Sequence, residues 1–175
     1  SWALVFDPKN AAKLKDCGIY FLDSPDDMIP AALAFLGLKP NSKDEADLQK
    51  AGDLLASITP YVQKFNSSEY INALANGDIC VAVGYSGDVL QARNRAEEAK
   101  NNVNIGYFIP KEGALIWFDS FAIPADAPHK DEALAFINFM LDPKIAARNS
   151  DYVAYASGSK DAQPLIDKEI IDDPS

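Results

Sequence analysis

Two places in the chain set an aromatic ring beside a carboxylate. In Val81-Ala82-Val83-Gly84-Tyr85-Ser86-Gly87-Asp88, an apolar run stops at a glycine, presents Tyr85, turns at a second glycine and offers Asp88. In Ala114-Leu115-Ile116-Trp117-Phe118-Asp119-Ser120-Phe121-Ala122-Ile123, the acid lies inside an apolar run. Strand alternation would put Trp117 and Asp119 on one face and Phe118 on the other. A carboxylate in such a run is costly unless a cation or hydrogen-bond donors meet it. A structural ion pair or an exposed strand end would satisfy Asp119 as well. An aromatic face beside an acid suits an organic cation, through cation–π attraction and charge-assisted hydrogen bonds. The repetition of the pairing favours a cation cage.

Other chemistry has little support, and no catalytic residue is assigned. The single histidine, His129, falls in a loop before a helix and reads as solvated rather than catalytic. Gly84-Tyr85-Ser86-Gly87 comes near the nucleophile elbow of hydrolases, but its second glycine is one residue early and Ser86 has no evident histidine partner. A serine hydrolase using Ser86 is therefore a remote alternative. No spacing of Cys, His or acids matches a zinc or calcium site, and no dinucleotide or P-loop glycine pattern occurs. No metal and no cofactor are expected.

Punctuation by Pro, Gly and capping residues supplies the elements that would hold these groups. Asp7-Pro8 opens a short helix, with Asp7 able to cap and Pro8 at the first helical position. A strand is expected over 18–22. Ser24-Pro25-Asp26-Asp27 then starts a helix, its two acids complementing the dipole. Ser42-Lys43-Asp44-Glu45 fits a capping box for a helix running to Ile58, and Asn66-Ser67-Ser68-Glu69 caps another that ends at Asn76-Gly77. A buried strand over 80–83 and a helix over 89–99 complete an alternating order that points to α/β layering. Extended segments are expected over 103–109 and 114–123, and helices over 130–141 and 143–149, with 162–171 in the tail. Ser1 to Phe6 reads as the middle of a strand or a linker.

The 175 residues are 48% apolar and 24% charged, enough for a sizeable buried core. A formal net charge of −10 argues against nucleic acid, which needs a basic surface. No stretch reaches the roughly 18 apolar residues of a membrane span. The chain lacks an initiating Met and a signal peptide, and is expected to be a piece of something longer. Cys17 and Cys80 each precede an apolar run; a disulfide and two buried free thiols are both compatible with that placement. A bridge would imply an oxidising compartment such as the periplasm.

Over nearly its whole length the sequence resembles the periplasmic putrescine- and spermidine-binding proteins of ABC importers. The carrying motifs are Cys17-Gly18, Phe21-Leu22-Asp23-Ser24-Pro25, Leu74-Ala75-Asn76-Gly77-Asp78-Ile79-Cys80, Gly84-Tyr85-Ser86-Gly87-Asp88, Ile109-Pro110-Lys111-Glu112-Gly113 and Trp117-Phe118-Asp119. The resemblance implies an α/β fold of the type II periplasmic-binding-protein kind, mostly one lobe plus part of the other. Residues 1–106 would form most of the second lobe, 107–150 the crossover and returning part of the first lobe, and 151–175 a truncated C-terminal segment. The opening half of the first lobe would be missing, leaving unpaired strand edges and apolar surface for that segment, or another copy of the chain, to cover.

The same resemblance implies the ligand set. Tyr85 and Asp88 match an aromatic and an acid before the long helix, although many members carry Trp where this chain has Tyr85. Trp117 and Asp119 match the later aromatic–acid pair. Asp27 matches an acid that is Glu in some relatives, Ser67 a serine, and Tyr155 an aromatic near the carboxyl end. Cys17 and Cys80 match the family's disulfide. The implied activity is capture of putrescine or spermidine between lobes and delivery to an ABC permease in the inner membrane. The alternative is a polyamine-sensing module that docks on a membrane receptor.

Overall fold

Burial of one short apolar run sets the architecture. In the computed structural model, which describes residues 1–172, Ile19 and Phe21 are wholly screened from solvent in β1 (Ile19–Phe21). Parallel neighbours flank β1 on both sides: β2 (Lys64–Phe65) pairs Tyr20 with Lys64, and β3 (Val81–Ala82) pairs Ile19 with Val81. The sheet order is β2-β1-β3. Parallel pairing demands crossover connections, and helices supply them. α3 (Pro25–Phe35) and α4 (Glu45–Ile58) link β1 to β2, α5 (Tyr70–Asn76) links β2 to β3, and α6 (Ser86–Ala99) follows β3. All three strands therefore point their carboxyl ends the same way.

Helix starts follow their sequence signals closely. Asp7 accepts from the Lys9 amide at 2.8 Å and Pro8 opens α2 (Pro8–Leu14). Pro25 opens α3 with Asp26 and Asp27 in its first turn, although the Ser24 side chain makes no cap bond. At α4 the capping residue is Asp44, which accepts from Ala46 and Asp47. Ser42 instead donates to the Asp47 carboxylate at 2.8 Å, so the expected capping box is replaced by a cap two residues later.

Ser1 to Phe6 differs from its strand-or-linker reading. α1 (Ala3–Phe6) is a single helical turn that buries Val5 and Phe6, with Trp2 stacked on Phe6. Phe6 also meets Phe21 edge-on at 5.9 Å, which draws α1 against the sheet. Glu112 holds this end by accepting from the Ser1 hydroxyl and the Trp2 amide, while the Trp2 indole donates to the Gly113 carbonyl.

The segment 103–109 keeps its expected alternation without forming a strand. Val103, Ile105 and Tyr107 turn partly inward while Asn104, Gly106 and Phe108 are exposed, yet no ladder joins them to the sheet. A strand needs a partner for its amides and carbonyls, and the described residues place none beside this one. The same holds for 114–123. The chain divides into a compact unit spanning Ser1–Leu115 and a second beginning at Ile116. The second contains α7 (Lys130–Met140), α8 (Pro143–Val153) and α9 (Lys168–Ile171), and a small core of Ala147, Ala162 and Ile166 against which Ala146 of α8 and Ile170 of α9 pack. α7 buries nothing, and Ile116 and Phe118 are each 84% exposed. No described helix is long and apolar enough to cross a membrane.

Cys17 and Cys80, the residues leading into β1 and β3, are joined by a disulfide across a sequence separation of 63. Gly18, between the bridge and β1, holds φ +92, and a Cβ there would lie 2.5 Å from Gln63 Oε1. In the chain-entropy model a bridge this long stabilises by roughly 4 kcal/mol. Replacing both cysteines by Ser should lower the stability of the full-length protein in urea by about 2–5 kcal/mol. An unchanged unfolding midpoint would contradict a stabilising bridge.

Candidate functional site

The exits of the three strands bring the first unit's polar residues to one edge. Beyond β1 the chain runs through Asp23 and Ser24 into α3, whose first turn carries Asp27. Beyond β2, the Asn66 side chain accepts from the Ser68 and Glu69 amides at 2.9 and 2.7 Å, a local turn that launches α5. Ser67 in that turn accepts from the Asp23 amide at 3.0 Å, tying the β1 and β2 exits together. Beyond β3, Gly84 and an extended Tyr85 lead into α6, which places Asp88 in its first turn.

Tyr70 joins these exits. It is completely buried at the start of α5, and its hydroxyl donates to Asp88 Oδ2 at 2.7 Å. The Tyr70 hydroxyl oxygen also accepts from the Tyr85 amide at 3.0 Å. Tyr85 in turn donates through its hydroxyl to Asp27 Oδ2 at 2.9 Å. A hydrogen-bonded chain thus runs from Asp27 through Tyr85 and Tyr70 to Asp88. Gly84 makes the approach possible: a Cβ there would lie 2.4 Å from Tyr70 Cε2.

The chemistry of this edge is acceptance. Asp27 and Asp88 are half-buried carboxylates, each steadied by a phenol, beside the ring of Tyr85. Burial, above all, pushes the Tyr85 phenol up from its ordinary range; its hydrogen bond to Asp27 and the charges of Asp27 and Asp88 act in the same direction, and a hydrogen bond with Ser24 opposes them. Tyr85 therefore stays protonated at neutral pH and remains a donor. A carboxylate offers about four lone-pair sites, so one phenol on each acid is compatible with a bound cation.

In the second unit, Trp117 and Asp119 lie in the exposed irregular stretch and Tyr155 follows α8, half-buried. The first unit thus links Asp27 to Tyr85 directly and Tyr85 to Asp88 through Tyr70, holds Ser67 on the adjoining turn, and does not contain the other three. Ser86 is the first residue of α6. His129 is exposed in the second unit, 3.9 Å from Glu132. No group of acids, cysteines or histidines among the described residues could hold a metal ion.

Sequence reasoning missed Tyr70. The available signal was a tyrosine on the apolar face of a short helix, which needs a hydroxyl partner once buried.

Comparison with known proteins gives a consistent picture. The family model of bacterial extracellular solute-binding proteins matches residues 2–175. The chain is 53% identical over 174 residues to the putrescine-binding periplasmic protein SpuD of Pseudomonas aeruginosa, covering 99% of this chain and 47% of that protein. It is 51% identical over 175 residues to the putrescine-binding periplasmic protein PotF of Escherichia coli, again over 99% of this chain and 47% of the relative. A solved Listeria monocytogenes structure assigned as a spermidine/putrescine ABC transporter superposes with a TM-score of 0.83 at 35% identity, over 99% of this chain and 50% of its own. The chain spans about half the length of the curated relatives it matches.

The raised Tyr85 pKa has a defined sign. The native state prefers the neutral phenol, so the associated stability is complete below about pH 10, the unfolded value, and is lost as pH rises through the folded value. Phenolate absorbance should show Tyr85→Phe removing ionisation only from the alkaline part of the titration, above about pH 10. Loss of a group titrating below that point would contradict the assignment.

Proposed function

Because the chain belongs to the bacterial extracellular solute-binding protein family, we propose that it is part of a periplasmic polyamine-binding protein that serves an ABC permease. Its α/β fold is that of the solved polyamine-importer proteins, as the sequence implied. The observation that carries the ligand class is the paired phenol–carboxylate arrangement at the strand exits, with both acids positioned as acceptors. The relatives are putrescine-binding and spermidine/putrescine-binding proteins, which supports the same class. These relatives are binding proteins, and capture requires no covalent step.

Roles follow from residue type. Asp88 accepts hydrogen bonds from one ammonium group, and Asp27 neutralises the far amine. Tyr85 packs its ring against the methylene chain and the charged end, and Ser67 adds a neutral acceptor. By the resemblance, Asp119 is a further carboxylate of the proposed ligand set, and Trp117 and Tyr155 are its aromatic faces. Cys17–Cys80 is a structural bridge suited to the periplasm. Putrescine and spermidine share this chemistry.

Residues 1–106 are assigned to the second lobe, 107–150 to the crossover and returning part of the first, and 151–175 to the C-terminal segment. The exposed side chains of Ile116, Phe118, Leu134, Phe136 and Phe139 form apolar surface that the remaining first-lobe segment would cover. Coverage of only about half of each relative supports that occupant. In the full-length protein, Asp88→Ala and Asp119→Ala should each weaken putrescine binding by about 2 kcal/mol or more in titration calorimetry, as removal of one partner of a buried charge pair does. Ser86→Ala should leave affinity within about twofold, a change smaller than 0.5 kcal/mol. Unchanged affinity in Asp88→Ala and Asp119→Ala would sink the assignment.

A further inference from the structure

We propose that Tyr70 is a positioning residue of the site, its buried hydroxyl holding Asp88 in place as an acceptor while fixing the backbone at Tyr85. Tyr70 has no solvent-exposed surface, so its influence on a ligand must pass through the groups it touches.

The polarity of its contacts follows from atom types. The Tyr85 amide can only donate, and an ionised Asp88 carboxylate can only accept. The single Tyr70 proton therefore goes to Asp88, at 2.7 Å, and a lone pair receives the Tyr85 amide, at 3.0 Å. One oxygen thus sets both a carboxylate of α6 and the backbone that precedes α6. Tyr85 extends the effect by donating to Asp27 on α3. The position of Tyr70 is itself inherited from the β2 exit, where Asn66 turns the chain into α5. Gly84 completes the fit, since any side chain there would collide with the Tyr70 ring. A phenylalanine would preserve the ring packing and remove only the oxygen.

The ligand arm of the test rests on the polyamine reading; the backbone arm does not. In the ligand-free full-length protein, Tyr70→Phe should speed amide hydrogen exchange at Tyr85 by about tenfold or more, the equivalent of one lost hydrogen bond. Exchange at Val83, whose amide bonds the Tyr20 carbonyl, should not change. Putrescine affinity should fall by about tenfold in Tyr70→Phe, and by clearly less in an Asp88→Ala background, where only the contact of the Tyr70 hydroxyl with the Tyr85 amide is left to lose. Retained protection at the Tyr85 amide, or equal losses of affinity in both backgrounds, would overturn the proposal. If the wild-type protein binds no putrescine, the polyamine reading fails and the exchange measurement still decides the role of Tyr70. If Tyr70→Phe unfolds, the wild-type protein decides: a Tyr70 hydroxyl proton protected from solvent exchange in its NMR spectrum supports the proposal, and a freely exchanging one overturns it.

Discussion

Parallel pairing of β1 with both of its neighbours is the constraint on which the site depends. It sends the chain off the same edge of the sheet three times, after Phe21, after Phe65 and after Ala82. In open α/β sheets ligands bind outside the carboxyl ends of strands, because loops and helix starts from separate strands converge there. Here the convergence is enforced by cross-links between exits. Ser67 ties the second to the first, and Tyr70 ties the second to the third. The Cys17–Cys80 bridge fixes the opposite ends of β1 and β3, so the two strands are anchored covalently at one end and by hydrogen bonds at the other.

The cost of holding acids at such an edge explains the tyrosines. A half-buried carboxylate loses hydration, and a phenol hydrogen bond replaces part of it without introducing a competing positive charge. In the proposed polyamine site, lysine or arginine in the same positions would compete with the ammonium. Asp27 and Asp88 each accept from a neutral phenol. Tyr85 serves twice in the proposed site, with its hydroxyl on Asp27 and its ring against the amine. Its raised pKa suits both uses, since a phenolate would repel the acids.

Much of this arrangement was legible in local sequence signals. Pro8 and Pro25 mark helix starts, Gly77 ends α5, and the Gly84-Tyr85-Ser86-Gly87-Asp88 run marks the exit of β3. These features depend on backbone preferences of one or a few residues, which sequence reports directly. Tyr70 was hidden because its meaning lies in contacts 15 and 18 residues away. The α4 cap moved from Ser42 to Asp44 because the Ser42 hydroxyl found the Asp47 side chain. The alternating 103–109 run turns alternate side chains inward but has no paired strand, since pairing needs a neighbour that local sequence cannot supply. Ser1 to Phe6 became a helix because a helical turn brings Phe6 onto Phe21.

In the proposed polyamine site, the acids held by Tyr85 and Tyr70 would receive the amine. A crystal structure of the full-length protein with putrescine bound tests this most directly. An ammonium nitrogen within about 3 Å of an Asp88 carboxylate oxygen, with the Tyr70–Asp88 hydrogen bond intact, is the predicted result. Putrescine bound away from the exits of β1 and β3, or bound with Asp88 turned away from Tyr70, would contradict it.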